Sequence, residues 1–208
     1  MSPDLIIKNM QPKIKAIIFD LGGVITHGGY LDFVKHYCTA CLTRAGQKKI
    51  LELEHQVNLG KITESQFYKK IREIFGVRLT PKQMHNLIVK HMKADKGLVH
   101  LIPHLKKAKI ALFTNSIGYM ALEVLRKRHL SSGKIFDKVF VSTKMRLAKP
   151  ARRAYQYVLK GLRVKPHEAM MVDDRPENIR AVKKIGMQGI VYKNSRQFKR
   201  AIAKYELV

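Results

Sequence analysis

An aspartate at position 20, a threonine and an asparagine at 114 and 115, and an aspartate doublet at 173 and 174 each close a short apolar run of the chain. Carboxylates, a hydroxyl and an amide together can bind and orient a polar ligand. The acids stand out, because the chain holds only 15 Asp and Glu against 41 Lys and Arg. Strands often end where polar loops begin, which accounts for one or two of these positions but poorly for two adjacent acids in so basic a chain. The stretch "KAIIFDLGGVITHGG", residues 15–29, sets Asp20 at the mouth of an apolar segment, with Gly22 and Gly23 after it and no second acid beside it.

These residues act together only if the fold carries them to one place. Five apolar runs have strand length: "KAIIFDL" (15–21), "KIALFTN" (109–115), "KVFVST" (138–143), "AMMVDD" (169–174) and "QGIVY" (188–192). They are mostly apolar without alternation, as expected of strands buried on both faces of a parallel sheet. Helical patterns separate the later ones: "GYMALEVLRKRHL", "ARRAYQYVLKGL" and "ENIRAVKKIG". The expected class is α/β, a doubly wound Rossmann-like parallel sheet. Ligands of such sheets sit beyond the carboxyl ends of the strands, and there Asp20, Thr114, Asn115, Asp173 and Asp174 would meet.

The segment between the first two strands reads differently. "TESQFYKKIREIFG" opens with Thr63 and Gln66 in capping-box spacing and closes at Gly76, and "TPKQMHNLIVKHM" repeats the device with Thr80, Pro81 and Gln83. "YLDFVKHYCTACLTRAG" and "KKILELEHQVNLG" also carry apolar residues at helical spacing. The expected organisation is a core of residues 1–24 and 98–208 with an inserted helical cap subdomain, 25–97, standing over the strand ends as a lid.

Composition narrows the function classes. The net charge is +26, of which +18 falls in residues 104–208. Such a balance favours anionic partners: phosphorylated metabolites, nucleic acid or anionic surfaces. A generally basic proteome is an equal explanation, and the basic residues are scattered, without an aromatic RNA-binding motif. No uncharged apolar run reaches about eighteen residues, which excludes a membrane-spanning helix. The start, "MSPDLIIKNMQPKIK", lacks a secretory signal, and a cytoplasmic protein is expected. The two cysteines, Cys38 and Cys41, lie close to His36, but zinc would need two further ligands that the sequence does not offer at suitable spacing. Three residues apart on a helix, they read as two small side chains packing inward.

Four segments in order, "IIFDLGGV", "ALFTNS", "AKPARRAY" and "MMVDDRPENIRAVKKIGMQGI", resemble the haloacid dehalogenase (HAD) superfamily, subfamily IA, with a helical cap of the C1 type. The last is similar to the form found in relatives of bacterial α-glucose-1-phosphate phosphatase. The resemblance implies a phosphatase acting on a small phosphorylated metabolite, with Mg²⁺ as cofactor. By position it implies Asp20 as the nucleophile that takes the phosphoryl group. A carboxylate with an ordinary pKa of ~3.9 needs no base to ionise it. Thr114, Asn115 and the backbone of Gly22 and Gly23 would hold the phosphoryl oxygens, and Lys149 would balance charge between phosphate and nucleophile. Asp20, Asp173, Asp174 and the backbone carbonyl of Gly22 would ligate the metal, and Asn178 would orient the acidic pair. Tyr30, Asn58 and Lys61 fall where specificity residues sit in this family.

The resemblance fails at one position. Most phosphatases of the superfamily carry a second aspartate where this chain has Gly22, and that aspartate protonates the leaving group and activates the hydrolytic water. General acid–base catalysis is worth ~10²–10⁴-fold. Its loss leaves several readings: a leaving group that needs little protonation, a stand-in such as His27, or a catalytically weak or inactive binding domain. Dehalogenase chemistry also uses a lone aspartate, but relatives of that kind place an aromatic residue at the position of Gly22 and need no magnesium, which the Asp173–Asp174 doublet opposes. A polynucleotide-end phosphatase or RNA-associated protein is motivated only by the basic second half.

Overall fold

In the computed structural model the described residues are 13–105, 107–117, 119–130, 133, 135–205 and 207. The expected membership of residues 1–12 in the core, and Gly118 at the start of a predicted helix, lie outside them. The strands are β1 (Ala16–Phe19), β2 (Thr26–His27), β3 (Lys93–Ala94), β4 (Lys109–Thr114), β5 (Lys138–Val141), β6 (Ala169–Asp173) and β7 (Gln188–Val191). Five of them form a parallel sheet in the order β5-β4-β1-β6-β7. All five predicted runs are these strands.

Each strand is buried on both sides because the sheet lies between two apolar layers. Along β1, Ile17 and Phe19 enter one layer, and Ala16 and Ile18 enter the other. Phe19 meets Phe198 of the helix Ser195–Ile202 edge to face, with ring centroids 5.5 Å apart. Such a pair adds about 0.5–1.5 kcal/mol to its burial. The opposite layer is covered by the helices Arg152–Leu162 and Pro176–Lys183, through Tyr155, Val158, Ile179 and Val182. Pro150 stands two residues before the first of these helices, in a cis peptide with Lys149.

The chain runs outward from β1 to β4 and β5, then crosses back to β6 and β7 on the other side. The winding therefore reverses between β1 and β6, and loops leaving these two strands part in opposite directions to open a crevice. Phe19 pairs with Leu112 and Val172, so Asp20 emerges at the centre of that edge.

Between β2 and β3 stand four α-helices: α1 (Tyr30–Tyr37), α2 (Arg44–Asn58), α3 (Glu64–Phe75) and α4 (Pro81–His91). Both capping boxes form, at Thr63 with Gln66 and at Thr80 with Gln83, and Gly76 closes α3 in the left-handed conformation at φ 65°. Each cap contributes about 1 kcal/mol. The helical pattern of residues 30–46 breaks after Tyr37 into the 3₁₀ turn Thr39–Leu42. There Cys38 and Cys41 are buried as expected, but at a 3₁₀ turn and not on one helix face, and they are joined in a disulfide.

Three devices tie this bundle to the sheet domain. The antiparallel pair β2–β3, Thr26 with Ala94 and His27 with Lys93, lays the outgoing and returning chain side by side. No periodicity announces strands of two residues, and none was expected here. Arg128, just after the helix Met120–Lys127, donates to the carbonyls of Val89, Lys90 and Met92 at 3.1, 2.9 and 2.8 Å, which satisfies the last turn of α4. Nearby, His85 of α4 joins Glu64 of α3 to Glu123 of that same core helix.

Candidate active site

Asp20 follows β1 directly, and its peptide N–H still bonds Val172 O at 2.9 Å, as a strand residue would. Its Oδ1 accepts from the Leu21 N–H at 2.7 Å. Next to it, Asp173 ends β6 with no exposure at all. Its Oδ1 accepts from the Arg175 N–H and from Asn178 Nδ2, both at 2.9 Å. Lys149 Nζ lies between the two acids, 2.9 Å from Asp20 Oδ2 and 2.7 Å from Asp173 Oδ2.

Lys149 is itself held in place. The amide of Asn115, just beyond β4, bonds both ends of its peptide: Nδ2 donates to Lys149 O and Oδ1 accepts from Lys149 N–H, each at 2.9 Å. Asn115 lines the cleft, yet its side chain is spent on positioning the lysine and not on free donation to a ligand. Bonds of this kind inside a low-dielectric pocket fix geometry before a ligand arrives.

Charge at this point is out of balance. Asp20, Asp173 and Asp174 can each offer an oxygen such that all three lie within 4.8 Å of one another. Against three carboxylates there is one buried ammonium. Burial pushes the Asp20 carboxyl up to about 6, Lys149 opposes that and Asp173 adds to it. Asp174 is also raised, by burial first and by Asp173 next. Burial alone would depress Lys149, but the two aspartates outweigh it and hold the ammonium above the ordinary lysine range. Three hard oxygen donors with excess negative charge suit a divalent cation of the Mg²⁺ type. The backbone is shaped to the same end: a side chain on Gly23, at φ 74°, would strike the Asp174 carboxylate.

Above the acids is a cavity of about 160 Å³. The strand ends supply Gly22, Thr114, Asn115 and Ser116 to it, and the helical insertion supplies Tyr30, Glu54 and Asn58. Thus the strand-end residues singled out in the sequence converge. Of the cap residues expected where specificity residues sit, Tyr30 and Asn58 line this cavity, while Lys61 is exposed and stays outside the lining. His27 also stays outside: its Nε2 is 3.1 Å from Asp95 Oδ2 and its ring stacks on Tyr192. Glu54 and Ser142 were missed. Glu54 lies one helical turn before Asn58, and that i, i+4 spacing was the available signal. Ser142 donates its hydroxyl to Asn58 Oδ1 at 3.4 Å and accepts from the Ser116 N–H at 3.2 Å, linking roof to floor.

A family model for haloacid dehalogenase-like hydrolases matches residues 14–186. The chain belongs to this family. Among characterised relatives of this HAD-like hydrolase, D-ribitol-5-phosphate phosphatase of Bacteroides thetaiotaomicron is 24% identical over 201 residues, covering 91% of this chain and 97% of the relative. The sesquiterpene phosphatase astK of Aspergillus oryzae is 27% identical over 188 residues, covering 87% and 91%. Among solved structures, a mutant of the HAD family enzyme bt-2542 of B. thetaiotaomicron, in complex with magnesium and inorganic phosphate, superposes with a TM-score of 0.70 at 22% identity, covering 87% of this chain and 95% of that one. The likeness extends over the sheet and the helical insertion together. No helix among the described residues is long and apolar enough to cross a membrane.

Proposed function

We propose that this HAD-like hydrolase is a Mg²⁺-dependent phosphatase that removes the phosphoryl group of a small phosphorylated metabolite through an aspartyl-phosphate on Asp20. One observation carries the reading: three carboxylates gathered at the winding reversal, with a buried lysine bridging two of them. Both named relatives being phosphatases supports it from outside.

Each residue has a role that follows from its position. Asp20 is the nucleophile, since Leu21 N–H and Lys149 both favour its ionised form. Lys149 screens the incoming phosphoryl oxygens from the acids, and Thr114 and the loop amides after it bind those oxygens. Asp20, Asp173, Asp174 and the Gly22 carbonyl would hold the ion, and Asn178 fixes the orientation of Asp173. A bound Mg²⁺ supplies Lewis-acid shielding worth several kcal/mol where an anionic nucleophile meets an anionic phosphate. Of the described residues, 13–24 and those from 98 onward form the catalytic core, and 25–97 form the cap that selects the substrate.

The basic charge fits this use, because a positive field draws in phosphorylated ligands. Dehalogenation by a lone aspartate does not explain three clustered acids. p-Nitrophenyl phosphate, whose leaving group needs no proton, tests the reading directly. Turnover is expected with Mg²⁺, is lost on chelation, and falls by at least about 10⁴-fold in Asp20→Asn. An inert wild-type protein on this and a sugar-phosphate panel would instead support a binding domain.

A further inference from the structure

The floor of the cavity offers a ligand little that can exchange a proton. Lys149 is committed to two carboxylates and the Asn115 amide to the Lys149 backbone, while His27 lies outside the lining against Asp95. Gly22 has no side chain, and a Cβ built on it meets nothing within 4 Å, so the space there is open. The roof across that space differs. Glu54 of α2 lines the cavity, while its neighbours Leu53 and Val57 turn into the buried apolar layer of the bundle. Among the described residues Glu54 has no hydrogen-bond or ion-pair partner; Arg175 and Tyr30 are near enough to interact with its charge.

A second group in the roof is unpaired as well. The Tyr30 hydroxyl is shut off from solvent and has no hydrogen-bond partner. A buried polar atom without a partner is costly, and the Tyr30 hydroxyl is one; Glu54 is partly exposed and lines the same cavity with an unpaired carboxyl, where a ligand would complete it. Burial raises Glu54 above the ordinary glutamate range, with Arg175 opposing, which shifts its carboxyl toward the protonated form. Tyr30 is pushed upward too, by burial first and Glu54 next, which makes the phenol a hydrogen-bonding group and a poor acid.

We infer that Glu54 is the general acid and then the general base of the hydrolysis, delivered from the helical insertion in place of a side chain at position 22. The inference rests on the phosphatase reading above. In the first step Asp20 Oδ bonds to phosphorus and the bond from phosphorus to the leaving oxygen breaks. The electron pair stays on that oxygen, which takes the Glu54 proton and departs as an alcohol. In the second step a water oxygen bonds to phosphorus as the bond to Asp20 breaks. Glu54 accepts the water proton, Asp20 regains its carboxylate, and inorganic phosphate leaves. The acid thus sits on the element that contacts the variable part of the substrate, and the leaving group is protonated only when the insertion covers it.

The test uses the full chain with Mg²⁺ and two aryl phosphates that differ in leaving group, p-nitrophenyl phosphate and phenyl phosphate. Glu54→Gln keeps the shape and removes the proton. It is expected to lose about 10²-fold or more on phenyl phosphate. On p-nitrophenyl phosphate it should release a burst near one nitrophenolate per site and then turn over slowly, because the covalent step needs no acid and the water step lacks its base. Glu54→Asp, which keeps an acid, should retain part of the phenyl phosphate activity and show no burst. Equal rates for wild type and Glu54→Gln, or an equal loss on both substrates without a burst, overturn the role of Glu54 and leave the phosphatase reading intact. A wild-type protein inert toward both compounds and the sugar-phosphate panel overturns the phosphatase reading and this role with it.

Discussion

The floor and the roof of the cavity are built on opposite rules. On the floor three side chains are held in advance: Asp173 accepts from three donors, Lys149 is held by two acids, and Asn115 bonds both the backbone N–H and the carbonyl of Lys149. In the roof Glu54 and the Tyr30 hydroxyl wait without partners. A group that reacts the same way with any substrate profits from being fixed in advance. A group that meets the part of a substrate that varies gains its bonds only on binding, and leaving it unsatisfied is the cost of that selectivity.

Substitutions should therefore cost stability below and affinity above. The largest effect is expected for Lys149→Met, which leaves Asp20 and Asp173 facing each other with the ammonium gone. Removing one partner of a buried ionic group costs about 3–5 kcal/mol, measurable by urea unfolding. A loss under about 1 kcal/mol would mean the floor is not prepaired in the way described. Tyr30→Phe is expected to leave the unfolding midpoint unchanged or slightly higher, since it deletes an unpaired hydroxyl. Its KM for the physiological substrate should rise about fivefold, equivalent to ~1 kcal/mol. Lower stability with an unchanged KM would place the hydroxyl in the architecture and erase the contrast.

The smallest effect concerns the contact of His85 with Glu64 and Glu123, which joins the two regions outside the cavity. The Glu64 hydrogen bond raises the His85 pKa most, burial opposes, and the Glu123 hydrogen bond adds to the rise. A folded-state value above the unfolded one stabilises fully below the ordinary histidine value of 6.5, and this contribution disappears as pH climbs through the raised value. Wild type should lose more stability than His85→Gln when pH goes from about 6 to about 9. Equal slopes for the two proteins would remove the imidazolium from the link.

What the sequence discloses follows from which forces act locally. The five central strands are legible because burial on both faces forces runs such as "AIIF" and "AMMVD". The capping boxes are legible because Thr63 and Thr80 act on residues three positions away. Asp20, Thr114, Asp173 and Asp174 can be gathered on paper since a parallel sheet delivers its strand ends to one edge. Other features depend on contacts remote in the chain. β2 and β3 are too short for any period, and only their mutual pairing makes them strands. Cys38 and Cys41 look like neighbours on a helix, but the helix has already ended. Glu54 reads as a solvated acid until the docking of α2 on the strand ends turns it inward.

The two adjacent glycines carry opposite prospects for mutation. Position 23 is closed to drift, because any methyl group there collides with Asp174. Position 22 has no such barrier, and a single base change in any glycine codon yields Asp or Glu. A Cβ at this position meets nothing within 4 Å, so Gly22 is not kept by a backbone clash: its emptiness is room that a bound molecule can occupy.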